Sequence, residues 1–296
     1  MVQKEEIKEI FKIRQGDANK GDFGYVAIMG GCLNYSGAIK LANLSCSALR
    51  AGCGVSKLIV PKSLSNIVAP YLLEQTLFTI DDEESHMLFS KEQIDEALKK
   101  VKALAIGMGW GQGRDNQKIL TYILENYEIP VIIDADGLNT LSSMDKEILT
   151  KSKCKIIVTP HLKEFERLTG IPIEEINKHK SEIAKKFAQD NHVIVLLKGK
   201  ITIITDGTEE LQVDRGCAGM STAGSGDVLS GILVGLLGYN EPNVKTIAAG
   251  AYLAGLAGEL AEKETNDISM IASDTIKNIP NAINQIRNYS GEKHER

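Results

Sequence analysis

Short, almost unbroken apolar runs recur along the chain, each stopping at glycine, proline, a carboxylate or a lysine. Residues 25–29 (YVAIM) run into Gly30-Gly31, 56–60 (SKLIV) end at Pro61, and 103–106 (ALAI) end at Gly107. Further on, 131–133 (VII) end at Asp134, 156–158 (IIV) at Thr159-Pro160, and 193–197 (VIVLL) at Lys198-Gly199. Residues 201–205 follow at once as a hairpin partner. The first five runs are continuous rather than alternating, which suits strands covered on both faces. Between them lie stretches of helical length and pattern, at 37–51, 116–127 and 164–169. Strand followed by helix, repeated, predicts an α/β fold with a mostly parallel sheet and right-handed crossovers. No linker, repeat or low-complexity stretch divides residues 1–296, so one domain is expected, with only the tail after Asn288 frayed.

The residues just past each strand matter more than the strands themselves. Gly30-Gly31, residues 107–113, Asp134-Ala135-Asp136, Thr159-Pro160-His161 and Lys198-Gly199 all stand at C-terminal strand ends. In open α/β sheets ligands bind outside those ends, so these small, flexible or polar clusters predict one shared crevice. Composition refines this picture mainly by exclusion. A net charge of -5 gives no reason to expect a nucleic-acid partner. A phosphate-bearing ligand remains allowed, because a few aimed backbone N–H groups outweigh the global charge locally. The five cysteines, Cys32, Cys46, Cys53, Cys154 and Cys217, are odd in number and form no CxxC pair. That argues against a disulfide framework and a zinc site and fits a reducing compartment. The N-terminus is charged and amphipathic, and the longest apolar stretch, 228–237, is too short to span a bilayer. A cytoplasmic protein without a membrane partner is expected.

The richest segment is 216–231, GCAGMSTAGSGDVLSG, which leads into a run of helical length. Glycines before a helix let the backbone approach a ligand, and the first helical N–H groups then point at it. Gly224, Ser225 and Gly226 thus form an anion hole suited to a transferring phosphoryl group. An aspartate at a helix start is often an N-cap. Glycines crowded on both sides of Asp227 exceed what a cap requires, and the sharper reading makes it a base that takes a proton from a substrate hydroxyl. The run 107–111 (GMGWG) lacks the acid that ends a following strand about twenty residues on in a dinucleotide fingerprint. It is either a tight turn or a place where a bulky ligand lies against the backbone. His161 opens the segment after Pro160 and is either simply exposed or functional, with Glu164 a helix-start acid responding to the dipole. In the loop 30–38, Ser36 reads as an N-cap or the whole loop as a ligand contact. Asp134 and Asp136 are either magnesium contacts or caps, and Lys198-Gly199 either a phosphate contact or a hairpin boundary. The Gly/Ala spacing of 247–260 predicts a buried helix packed beside the one carrying Asp227.

Taken in order, these motifs resemble the ADP/ATP-dependent NAD(P)H-hydrate dehydratase family of the ribokinase-like fold. The resemblance is carried by 30–38, 105–111, 130–138, 158–164, 195–199 and 218–231, the last being the most specific. It implies a mostly parallel central sheet flanked by helices on both faces. It also implies nucleotide-dependent dehydration of the 6-hydroxylated hydrate of NADH or NADPH back to NAD(P)H, by phosphorylation of the hydroxyl and elimination of phosphate. Asp227 becomes the catalytic base, and substrate contacts fall on Ala38, Gly109, His161 and Asp227. Nucleotide contacts fall on Lys198, Gly199, Lys200, Ile201, Thr202 and Gly226. ADP or ATP is the implied co-substrate, Mg2+ the implied cofactor with no ligand assigned, and a homotetramer the implied assembly.

The chain departs from the family pattern at Cys217 (usually Asn), Ala223 (usually Gly), Ser225 (usually Thr), Cys32 (usually Ser) and Leu162-Lys163 (usually Pro-Gly). Many relatives carry an N-terminal epimerase domain, which the segment before Gly21 is too short to hold, so epimerisation is not expected here. Two rival readings stand beside this one. A vitamin-precursor kinase of the same fold would use the same aspartate and anion hole but release a stable phosphate ester. A non-catalytic nucleotide-binding module would not need the intact GSGD.

Overall fold

In the computed structural model, residues 1–46 and 50–288 are described. The strands are β1 (Tyr25–Met29), β2 (Val55–Pro61), β3 (Thr76–Ile80), β4 (Asp82–Glu83), β5 (His86–Met87) and β6 (Ala103–Ile106). They continue with β7 (Pro130–Ile133), β8 (Lys155–Val158), β9 (Ile194–Leu197), β10 (Thr202–Thr205) and β11 (Glu210–Val213). β4 and β5 pair only with each other; the rest form one sheet in the order β11-β10-β9-β8-β7-β6-β1-β2-β3. Every pairing from β3 across to β9 is parallel, and β10 and β11 turn back antiparallel.

The continuous apolar runs have a direct physical reason. Val26, Ile28, Ile132, Ile157 and Ile194 point into the core on one face. Ala27, Met29, Val131, Ile133, Ile156 and Val158 point into the core on the other. With both faces dry, no position along a central strand is left for a polar side chain. The edge strands escape this rule. β3 is mostly half-buried and β11 is ELQV, so neither carries the run that marks a central strand, and neither was expected from the sequence.

The sheet also fixes where a ligand can lie. From β1 the chain steps outward through β2 and β3, then crosses back so that β6 lies on the other side of β1. In open α/β sheets ligands bind at the strand ends beside such a reversal. The loops after β1 and β6 are tied together there, where Gly31 N–H donates to Met108 C=O (3.0 Å) and Gly107 N–H to Met29 C=O (3.1 Å).

The helix Ser225–Leu237 is apolar nearly all round and buried from Ser230 to Leu237, as a helix wrapped by other elements must be. The expected small-residue helix runs Val244–Glu264 beside it. Their approach is close at Gly250, where a Cβ would stand 2.5 Å from Leu233 Cδ2. The helix expected at 37–51 begins at Ser36 and is described to Cys46; residues 47–49 and the tail beyond Asn288 lie outside the described residues. Ser36 is not an N-cap: a 3-10 turn, Leu33–Tyr35, runs directly into the helix, and Ser36 already has helical angles. The later helix starts at Leu162 rather than Glu164, and the hairpin strand at Thr202 rather than Ile201.

Gly107, which follows β6 and packs against the end of β7, is a tight junction at the C-terminal edge of the sheet. Its φ is +118°, and a Cβ there would stand 2.1 Å from Asp134 C=O and 2.5 Å from Gly137 N. Gly107→Ala is expected to lower the unfolding free energy by roughly 2–4 kcal/mol in urea denaturation. A loss below about 0.5 kcal/mol would show that the junction tolerates a side chain.

Candidate active site

Gly224 starts the Ser225–Leu237 helix at φ 95°, and no side chain caps that helix. The cap reading of Asp227 therefore fails: it is the third helical residue and leaves the first-turn N–H groups unengaged by its carboxylate. Those amides face a cleft of about 640 Å³, whose walls include Lys198, Gly199, Lys200 and Thr202 on one side and Ser225 and Gly226 on the other. Ile201 is not among its lining residues and is 41% exposed. Larger hollows, about 890 and 690 Å³, lie beside Tyr122 and Tyr239, remote from the glycine-rich helix mouth. They lie away from the C-terminal strand ends and the helix mouth, and the smaller cleft, which stands at both, is the better candidate.

Beneath the helix mouth lies a buried charge cluster. Asp134, 2% exposed, accepts from Lys198 Nζ at 3.0 Å through one oxygen and from Ser230 Oγ at 2.7 Å through the other. Lys198 Nζ also stands 3.8 Å from Glu164 Oε2. A Cβ on Gly226 would lie 3.6 Å from Lys198 Nζ and 3.9 Å from Asp134 Oδ2, which places the Gly226 backbone directly over this pair. Burial works to lower the Lys198 pKa, but Asp134, Glu164 and Asp227 together hold it above the usual lysine range. Lysine stays charged here because carboxylates surround it.

Asp227 experiences the opposite balance. Burial first, then the neighbouring carboxylates Asp134 and Asp136, push its pKa up to about 7 against the pull of Lys198. A base with that affinity is matched to proton transfer near neutrality.

Asp136 is engaged elsewhere, accepting from Gly111 N–H at 2.8 Å and from Asn139 Nδ2 at 3.2 Å. Between the two acids, Ala135 holds φ 49° and ψ -119°. Asp134 and Asp136 are thus each occupied by protein donors. Among the described residues, no group of three or more acidic, histidine or cysteine side chains is placed to hold a metal.

His161 caps the helix Leu162–Thr169. Its Nδ1 accepts the Glu164 N–H at 3.2 Å, while Glu164 Oε2 accepts the His161 N–H at 2.8 Å. With Nδ1 accepting, the neutral ring carries its proton on Nε2. Burial and the Lys198 charge lower the His161 pKa, which favours that neutral, donating form. Burial raises the Glu164 pKa, with Lys198 opposing.

The remaining candidates pack together. A Cβ on Gly109 would stand 2.5 Å from Tyr35 C=O and 3.1 Å from Ala38 Cβ. Leu41, one turn beyond Ala38, packs at Gly224, where a Cβ would come within 2.5 Å of its Cδ1. Ala38 and Gly109 thus adjoin the helix mouth, while Lys198 and Gly226 line the cleft and Glu164 joins Lys198 to His161; Asp227 is not among the residues lining the cleft. Sequence reasoning missed Ser230. Its signal was position alone, since it follows Asp227 by three residues on one helix and so lies on the same side of it.

The sequence profile of the NAD(P)H-hydrate dehydratase family matches residues 26–281. The chain belongs to the NAD(P)H-hydrate dehydratase family. The ADP-dependent (S)-NAD(P)H-hydrate dehydratase of Cenarchaeum symbiosum is 30% identical over 285 residues, covering 96% of both chains. The bifunctional NAD(P)H-hydrate repair enzyme Nnr of Moorella thermoacetica is 34% identical over 271 residues, which is 90% of this chain and 50% of that protein. The chain therefore spans about half the length of such bifunctional dehydratase relatives. The ADP/ATP-dependent NAD(P)H-hydrate dehydratase of Bacillus subtilis, co-crystallized with ATP and Mg2+, superposes with a TM-score of 0.81. That match covers 96% of this chain and 97% of the other at 25% identity. This member of the dehydratase family accordingly has the ribokinase-like fold expected from its motifs.

Asp227 gives the site a measurable signature in stability. Its folded pKa of about 7 lies above the ordinary 3.8, so between those values the folded state binds more protons and stability falls as pH rises. Below 3.8 the contribution is fully present, and by pH 8 it is lost. Asp227→Asn is expected to match the wild type near pH 4 and to exceed it by roughly 2–4 kcal/mol at pH 8, measured by urea denaturation. Equal stabilities at pH 8 would show that this carboxylate carries no burial penalty.

Proposed function

We propose that this chain catalyses the nucleotide-dependent dehydration of the 6-hydroxylated hydrate of NADH or NADPH, returning NAD(P)H. The observation that carries the reading is Asp227, brought to a pKa of about 7 beside the amide donors of Gly224, Ser225 and Gly226.

Hydroxide is a poor leaving group near neutrality, whereas a phosphate ester leaves readily. Asp227 takes the proton of the substrate hydroxyl as its oxygen attacks the terminal phosphorus of ADP or ATP, whose bond to the bridging oxygen breaks to release AMP or ADP. The first-turn N–H groups hold the charge that grows on the phosphoryl oxygens, and they need no reorganisation to do so. The Ser225 hydroxyl, buried with no hydrogen-bond partner among the described residues, keeps the donor that threonine supplies in relatives. The ring nitrogen lone pair then expels phosphate, and loss of a proton from the adjacent ring carbon restores the double bond.

The nucleotide lies along Lys198, Gly199, Lys200, Thr202 and Gly226, with Ile201 contributing backbone only. Ala38, Gly109 and His161 hold the hydrate, and His161 donates from Nε2. Magnesium, which the nucleotide brings on its phosphates, would offset their charge; both candidate aspartates already have protein donors. The same reading carries a cytoplasmic homotetramer without a nucleic-acid or membrane partner.

The test is the rise in absorbance of the reduced cofactor when hydrate and nucleotide are both supplied. Asp227→Asn is expected to lower kcat at least about 100-fold with an unchanged circular dichroism spectrum. In the wild type, kcat should fall about tenfold per pH unit below the Asp227 midpoint. Near-normal turnover by Asp227→Asn would remove Asp227 from the chemistry. Phosphorylation of a hydroxyethylthiazole to a stable ester, with no action on the hydrate, would establish the vitamin-precursor kinase instead.

A further inference from the structure

Asp134 has no role in the chemistry described above, yet it is the most completely engaged group beneath the helix mouth. Both its oxygens are used: one by Lys198 at 3.0 Å, from the end of β9, and one by Ser230 at 2.7 Å. Ser230 is fully buried and sits one helical turn beyond Asp227. The Ser230 bond therefore pins the Asp227 turn to the end of β7, across a sequence separation of 96 residues.

The charged groups that face Asp227 are Asp134 and Asp136 from the end of β7 and Lys198 from the end of β9. Glu164, on the far side of Lys198, shares that cation at 3.8 Å. The other elements packed on the Asp227 helix turn their charges elsewhere. Lys40, on the helix Ser36–Cys46, lies over the Tyr71 ring at 4.2 Å. On the helix Val244–Glu264, Glu259 pairs with Arg215 at 2.9 Å and Glu262 accepts the Gly219 N–H at 2.8 Å. Asp274, on the helix Ala272–Arg287, pairs with Lys277 at 2.9 Å. Lys198 is thus the cation that governs Asp227, and Asp134 is what it is bonded to.

We propose that Asp134 is a positioning residue for Asp227, tethering its helix turn through Ser230 and holding Lys198 away from its carboxylate. A lysine released from Asp134 would pair with Asp227 and quench it as a base. The two bonds act on different properties. The Ser230 bond sets where the carboxylate stands, and the Lys198 bond sets how strongly it holds a proton. The role in turnover rests on the dehydratase reading, whereas the effect on proton affinity does not.

The measurement is the pH titration of the Asp227 carboxyl carbon by carbon-13 NMR in protein labelled at aspartate, the resonance being assigned by its loss in Asp227→Asn. Asp134→Asn removes a negative neighbour and frees Lys198, so the midpoint is expected to fall by at least about one pH unit, tenfold in proton affinity. Ser230→Ala keeps both charges and loses the tether. Its midpoint should stay within about 0.3 unit, while kcat drops roughly tenfold with KM for the nucleotide unchanged. An unmoved midpoint in folded Asp134→Asn overturns the proposal. If that variant does not fold, Ser230→Ala decides, and a wild-type kcat there overturns it. Because the titration needs no turnover, a wild-type protein inactive on the hydrate would refute the dehydratase reading and leave this measurement standing.

Discussion

Three carboxylates and one lysine, partly withdrawn from water at the ends of β7 and β9 and the mouth of a glycine-rich helix, set the terms for the rest of the structure. Asp134 has Lys198 and Ser230 as partners, and Asp136 has Gly111 and Asn139. Burial first, and then the repulsion of these two carboxylates, raises the proton affinity of Asp227 to about 7.

The sheet makes this crowding possible. Parallel strands, dry on both faces, place their carboxyl ends along one line, and the strand order reverses between β1 and β6, the place where open α/β sheets take their ligands. The antiparallel turn from β9 to β10 then folds residues 198–202 back against the helix mouth, where they share one cleft with Ser225 and Gly226.

The central strands were readable because double-sided burial writes an unmistakable run of apolar residues. β3 and β11 were not, because a sheet edge tolerates mixed polarity and erases that signature. The glycine-rich helix mouth was legible for a local reason: glycine spacing and a following helix lie within a few residues of each other. Asp134 was not, and stayed suspended between metal contact and cap. Its partners stand 64 and 96 residues away, and no local pattern encodes which lysine or serine a fold will deliver. His161 was half legible. Its position after Pro160 was plain, but its service as a helix cap, and hence the nitrogen that bears its proton, depended on the geometry of Glu164.

Ala135 is the quiet partner of this arrangement. At φ 49° and ψ -119° it occupies territory where only glycine is at ease. A methyl group in such a place leaves the peptide few directions in which to relax. The acids on either side therefore inherit a stiffness that a more comfortable backbone would not provide. Ligands can come and go while the two carboxylates keep their bearings, because the joint between them has nowhere else to turn.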